Sequence, residues 1–106
     1  MPFQLLDTCE RCCMEYTYVL LSERDGRFYT GSTSDLRARF RDHNAGRVHS
    51  TAYRRPLKLI YYEACLHVAD ARRRERFLET GKGKRYLNNR LKELLNMVRP
   101  HTLERH

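Results

Sequence analysis

No stretch of this 106-residue sequence carries the roughly 20 consecutive apolar residues that a membrane helix needs. The opening residues, MPFQLLDTCERCCMEY, are too polar and acidic for a secretory signal, so the expected compartment is the cytoplasm. Internal repeats and low-complexity linkers are absent, and the length suits one domain with a single modest core. Acid is scarce: 13 Asp and Glu stand against 21 Lys and Arg, a formal charge of +8. Such a balance favours a polyanionic partner, nucleic acid ahead of an anionic membrane. Four cysteines are present, and in a reducing compartment they read as free thiols or ligands rather than disulfides. Cys9, Cys12 and Cys13 with Cys65 offer four zinc donors, but Cys65 stands alone in an apolar run where a zinc site wants a second pair. Free cysteines in a loose extension, residues 1–14, are therefore expected.

What is present is strongly patterned. YTYVLLSERDGRFYTG, Tyr16 to Gly31, alternates around an Asp-Gly turn, which predicts a β-hairpin. DLRARFRDHNAG then predicts a helix, with Ser34 or Asp35 as its cap, Leu36 and Phe40 as its apolar pair and Gly46 as its end. RVHSTAYRRP reads as a basic loop, and LKLIYYEACL, Leu57 to Leu66, as a strand apolar enough to be central. A second helix is expected from about Ala69 to Glu79, interrupted by Gly81 and Gly83. Leu87, Leu91, Leu94 and Leu95 space a third. The order ββαβαα predicts a small α/β sandwich, a three-stranded sheet flanked by helices. The domain would occupy residues 15–95, and residues 96–106 would form a flexible tail.

Candidate chemistry clusters on two helices. Arg39 and His43, four residues apart, share a face that borders the buried Leu36–Phe40 stripe. Glu75 is a lone acid among Arg72, Arg73, Arg74 and Arg76. One carboxylate in so positive a field suits a hydrated Mg²⁺ or Mn²⁺ beside a phosphate, because Mg²⁺ keeps much of its water shell. Between Ala71 and Leu95 nine basic residues stand against three acidic ones, a local +6. Tyrosines near a strand end, an arginine, a histidine and an isolated glutamate are the parts that phosphodiester hydrolysis requires. Lys82, Lys84 and Arg85 lack P-loop spacing and read as contacts to a DNA backbone. Arg47, Arg54, Arg55, Arg72 and Arg73 complete the expected phosphate-binding set.

These segments, Tyr16-Thr17-Tyr18, Tyr29-Thr30-Gly31, DLRARFRDHNAG and the glutamate helix RRRERFLETGKGKRYLNNRL, together resemble the GIY-YIG nuclease family in its small single-domain bacterial form. The resemblance spans about Glu15 to Leu95. It implies an antiparallel sheet and single-metal, one-step hydrolysis of a DNA phosphodiester. By position Tyr18 and Tyr29 fall on the family's two tyrosines, Arg39 on its arginine, His43 on a frequent histidine and Glu75 on its metal-binding glutamate. Asn89, or its neighbour Asn88, falls on a late asparagine. Two residues depart from the signature: Tyr16 replaces its first glycine and Thr30 its second isoleucine.

The function implied is a Mg²⁺-dependent DNA endonuclease, structure-selective in repair or recombination. The alternatives are a non-catalytic nucleic-acid-binding module and a nuclease subunit that depends on a protein partner for specificity. Tyr18 and Tyr29 are expected to bring their hydroxyls together across the hairpin. One of them would act as general base or relay, its pKa lowered by Arg39 and the metal. Tyr16, of the same strand parity as Tyr18, is expected only to pack beside it.

Overall fold

The computed structural model describes residues 14–98; Cys9, Cys12 and Cys13 lie outside them. Strands β1 (Glu15–Ser22), β2 (Phe28–Thr33) and β3 (Leu57–Cys65) form one antiparallel sheet in the order β2-β1-β3. The central place goes to β1, whose Thr17 to Ser22 are buried on both faces. The sequence reading gave that place to β3. In fact β3 is an edge strand, and it leaves Lys58, Tyr62 and Ala64 exposed. Beyond Leu57 its residues are half-buried or exposed, which composition alone does not distinguish from burial in a central strand.

Ser22 and Arg54 fix the hairpin turn. The Ser22 hydroxyl accepts from the backbone N–H groups of Arg24 and Asp25 and donates to the Arg54 carbonyl. Gly26 takes φ +73°, a left-handed conformation that glycine adopts without steric cost.

Helix α1 (Leu36–Asn44) starts where the Asp35 carboxylate accepts from the Ala38 N–H, at 3.1 Å. It ends in a Schellman motif, with Arg47 N–H bonded to the Asp42 carbonyl, Gly46 N–H to the His43 carbonyl and Gly46 at φ +81°. The basic loop that follows contains a short 3₁₀ turn, Ala52–Arg54.

Strand parity sorts the two sheet faces. Tyr18, Leu20, Leu57 and Leu59 meet Leu36 and Phe40 of α1 on one. On the other, Thr17 donates to the carbonyl of Ala71 in α2 (Val68–Leu78), at 2.8 Å.

The chain divides after Glu75 into two compact units. The second contains the end of α2, α3 (Gly81–Arg90) and α4 (Lys92–Val98). Gly81 opens α3 rather than interrupting a helix, because the Thr80 hydroxyl caps it by accepting from Gly83 N–H at 3.1 Å. A Cβ at Gly83 would run into the Phe77 carbonyl oxygen and lie 2.5 Å from Leu78 Cα. Close packing of consecutive helices thus accounts for this glycine. The expected single third helix is two, since Leu91 leaves the helical region at φ −110° and ψ 27°. Asn96, Met97 and Val98, assigned to the tail, lie in α4. None of the described helices is long and apolar enough to cross a membrane.

Candidate active site

Tyr18 projects from the central strand and is 1% exposed. Its ring lies on Gly31, its cross-strand partner. A Cβ at position 31 would come within 2.5 Å of the Tyr18 hydroxyl and 2.6 Å of its Cζ, so a glycine is required there to admit the phenol. The hydroxyl reaches Nε2 of His43 at 2.8 Å, and the Arg39 guanidinium lies against the same oxygen. The sequence reading placed His43 at the border of the buried stripe; it is fully buried. Its Nδ1 is 2.8 Å from the hydroxyl of Thr51, also fully buried, which in turn lies 3.5 Å from the Val48 carbonyl.

Donors and acceptors assign the protons in this chain. Thr51 gives its proton to the Val48 carbonyl and so accepts from His43, which leaves Nε2 to accept the Tyr18 proton. The imidazole proton is then on Nδ1 and is given to Thr51, which donates to Val48. Burial first, then the Arg39 charge, lowers the His43 pKa to about 4, so the ring is neutral at pH 7. Burial also raises the Tyr18 pKa, and the charges of Tyr29 and Glu75 add to that rise while Arg39 opposes it. Desolvation thus outweighs the one guanidinium beside the phenol.

Tyr29 stands beside this chain. Its ring centroid is 6.5 Å from that of Tyr18 and 5.1 Å, edge-on, from His43. The two phenols share a face as expected, but the Tyr18 hydroxyl is turned to His43 rather than to Tyr29.

Glu75 approaches from the opposite sheet face. Its Oε1 accepts from the Ser32 hydroxyl at 2.8 Å, an uncharged donor, while neighbouring Arg74 pairs with Glu63 and Arg73 with Asp70. Gly31 and Ser32 are consecutive on β2, an edge strand, and successive residues serve opposite faces. Tyr18 on Gly31 and Glu75 on Ser32 therefore converge at one strand edge. The donor set there is a carboxylate and a hydroxyl, both hard oxygens. No group of three or more His, Cys, Asp or Glu forms a metal cage among the described residues. A single carboxylate suits a hydrated Mg²⁺ or Mn²⁺, which keeps most of its water shell. Cys65 instead donates to the His67 carbonyl.

The expected phosphate-binding residues divide. Arg54 is occupied inside the fold: its Nε is 2.9 Å from Asp25 Oδ2, and it donates to the Arg27 and Phe28 carbonyls. Arg55 donates to the carbonyls of Ala52 and Asn44. Arg47 pairs at the surface with Asp42. Arg72, Lys82, Lys84 and Arg85 are exposed. Asn89 is exposed on α3, and Asn88 donates to the Lys84 carbonyl. Ser32 and Thr51 were not singled out in the sequence. Ser32 was accessible through its parity with Thr17, which faces α2, whereas nothing in the spacing marks Thr51.

A three-stranded antiparallel sheet with Tyr18, Arg39, His43 and Glu75 disposed about it is consistent with a GIY-YIG-type fold. The chain belongs to the GIY-YIG catalytic domain family, which it matches over residues 14–92. It is 47% identical over 57 residues to a UPF0213 protein of Lacticaseibacillus paracasei, covering 53% of this chain and 63% of that one. It is 49% identical over 49 residues to the UPF0213 protein SpyM50708 of Streptococcus pyogenes, covering 45% and 52%. To the UPF0213 protein SH2523 of Staphylococcus haemolyticus it is 38% identical over 66 residues, covering 61% and 79%. The chain thus spans between about half and two thirds of the length of the first two relatives. No solved structure matches it.

Proposed function

We propose that this chain is a divalent-metal-dependent endonuclease that hydrolyses DNA phosphodiester bonds, acting in the cytoplasm on branched or damaged DNA in repair or recombination. The observation that carries the reading is the Tyr18–His43 hydrogen bond at 2.8 Å, with Arg39 on the same oxygen and Glu75 at the same strand edge. In the proposed reaction a water oxygen attacks phosphorus and the bond from phosphorus to one deoxyribose oxygen breaks, that oxygen leaving with a proton from solvent, while Tyr18 Oη takes the attacking water's proton and passes its own to His43 Nε2. Thr51 holds the imidazolium proton on Nδ1. Arg39, permanently charged, faces the extra negative charge of the pentacoordinate state. A divalent cation on Glu75 would supply Lewis-acid charge to the phosphate and a positive neighbour for the Tyr18 phenol.

Energetics require the proton transfers to be concerted. Tyr18 titrates above its ordinary 10.0 and His43 at about 4. Burial thus disfavours a preformed phenolate–imidazolium pair from both sides. At rest the pair is neutral, and the base forms only as water attacks.

Substrate choice in this reading rests on backbone contacts from Arg47, Arg72, Arg73, Lys82, Lys84 and Arg85, with a protein partner adding specificity. The test is cleavage of supercoiled plasmid and of flapped and branched duplexes with Mg²⁺, Mn²⁺ or EDTA. Metal-dependent nicking that is lost in Glu75→Gln and His43→Ala supports it. If the wild-type protein binds these DNAs but cuts none with either metal, the chain is a binding module.

A further inference from the structure

A cavity of about 460 Å³ opens on the same sheet face as Tyr18, within the size range of small-ligand sites. Its walls are Tyr16, Tyr62, Leu59, Leu36 and Phe40, with Ser34, Asp35 and Arg37 at the start of α1. Tyr62 is directly opposite Tyr18 in the β1–β3 ladder and is 53% exposed. Tyr16 braces it edge-on, with ring centroids 5.9 Å apart and planes at 67°. Tyr16 also occupies the position that the family signature gives to glycine, so one wall of the cavity comes from a side chain that departs from that signature.

We infer that this cavity takes an unpaired nucleobase of the DNA strand. Three observations favour that occupant. First, an exposed ring held in place by a second ring is a stacking surface, and base–aromatic stacking is indifferent to sequence. Second, the cavity lies on the same sheet face as Tyr18, with the Leu36–Phe40 stripe of α1 between it and the candidate active site. On α1, Leu36 and Phe40 form the stripe between Arg37 on one side and Arg39 and His43 on the other. A strand seated on Tyr62 therefore has only this stripe between its base and the groups around the Tyr18 hydroxyl. Third, Arg37 offers a cation to the strand's phosphate, in a chain of net charge +8. The inference deepens the endonuclease reading by naming its substrate class: DNA with a single-stranded segment next to the scissile bond.

The experiment measures binding of a fluorescein-labelled single-stranded 12-mer and of a blunt hairpin duplex, each to full-length Glu75→Gln protein so that no cleavage intervenes. Tyr62→Ala should weaken single-strand binding roughly tenfold and change duplex binding less than twofold. Tyr62→Phe should retain wild-type affinity, and Tyr16→Gly should behave like Tyr62→Ala. An unchanged single-strand affinity in Tyr62→Ala overturns the inference, as does an equal fall for strand and duplex. Cleavage by the parent protein is scored separately. A parent that cuts DNA while Tyr62→Ala binds single strands normally rejects the pocket alone. A parent that never cuts while Tyr62→Ala loses single strands rejects the nuclease reading alone.

Discussion

The hydroxyl of Tyr18 and Nε2 of His43 are 2.8 Å apart, and both side chains are buried. Residues 25 positions apart in the chain thus share one proton path, because α1 is laid across the face of β1 that carries Tyr18. Removing either partner strands the other in a dry site, and burying an unmatched polar group costs more than an ordinary hydrogen bond contributes.

Tyr18→Phe is accordingly expected to lose stability as well as rate. It leaves Nε2 of His43 buried without its donor, at a cost of about 1–3 kcal/mol, and removes the proposed base, worth roughly 10²–10⁴ in rate. His43→Ala should slow cleavage to a similar extent. The double variant should then be little slower than either single one, since both act on the same proton. Additive losses in single-turnover cleavage would show that the two residues act separately.

His43 also sets a pH dependence of stability. Its pKa falls from 6.5 in the unfolded chain to about 4 in the fold, so the unfolded state binds the extra proton between these values. Stability should be full above pH 6.5 and should decline as pH falls towards 4, by roughly 3 kcal/mol in total. Denaturant melts of wild type and His43→Asn across this range test it. The variant should lack this slope, and an unchanged slope would assign the titration to another group.

Much of this architecture was legible because local signals agreed: the alternation around Asp25–Gly26, the Asp35 cap and the Gly46 stop each specify one element. The grouping of Tyr18, Tyr29, Arg39 and Glu75 was an expectation from the family resemblance, which spacing alone did not supply. What could not be read depends on which strand lies where. The apolar run of β3 has the composition of a central strand but lies at the sheet edge. Arg54 looked like a phosphate contact until Asp25 and two carbonyls surrounded it. Thr51, in an irregular loop, carries no periodic signal.

Gly31→Ala is expected to disable the site through a single methyl. The added Cβ would meet the Tyr18 hydroxyl at 2.5 Å and its ring at 2.6 Å, and Tyr18 is too enclosed to swing away. Overpacking of this kind costs about 1–3 kcal/mol. Lower thermal stability together with lost cleavage is the expected pair of readouts. Normal values for both would mean that the phenol is not held against β2.

Arg39 and Arg54 should separate cleanly. Arg39→Ala is expected to reduce the rate roughly 10²–10³-fold, by analogy with the loss of one oxyanion donor, with little change in melting temperature. Arg54→Ala should do the reverse. It removes bonds to Asp25 and to the carbonyls of Arg27 and Phe28 and should cost about 1–2 kcal/mol of stability. Its effect on the salt dependence of DNA binding should be small. A shallower salt slope in Arg54→Ala would restore Arg54 as a phosphate contact.

The last expectation concerns Ser32, which donates to Glu75 Oε1 at 2.8 Å. A carboxylate that is to hold a cation by itself gains from a neighbour that fixes its orientation, and such supporting contacts are worth about 10–100-fold in metal affinity. Ser32→Ala keeps the strand and the carboxylate but frees the Glu75 side chain to rotate. It should raise the Mg²⁺ concentration needed for half-maximal cleavage by about tenfold while leaving the rate at saturating metal near wild type. Glu75→Gln should be inactive at every metal concentration yet bind DNA normally. EDTA should reduce the wild type to the level of that variant. If Ser32→Ala instead lowers the saturated rate with an unchanged Mg²⁺ midpoint, the hydroxyl acts on the substrate rather than on the carboxylate.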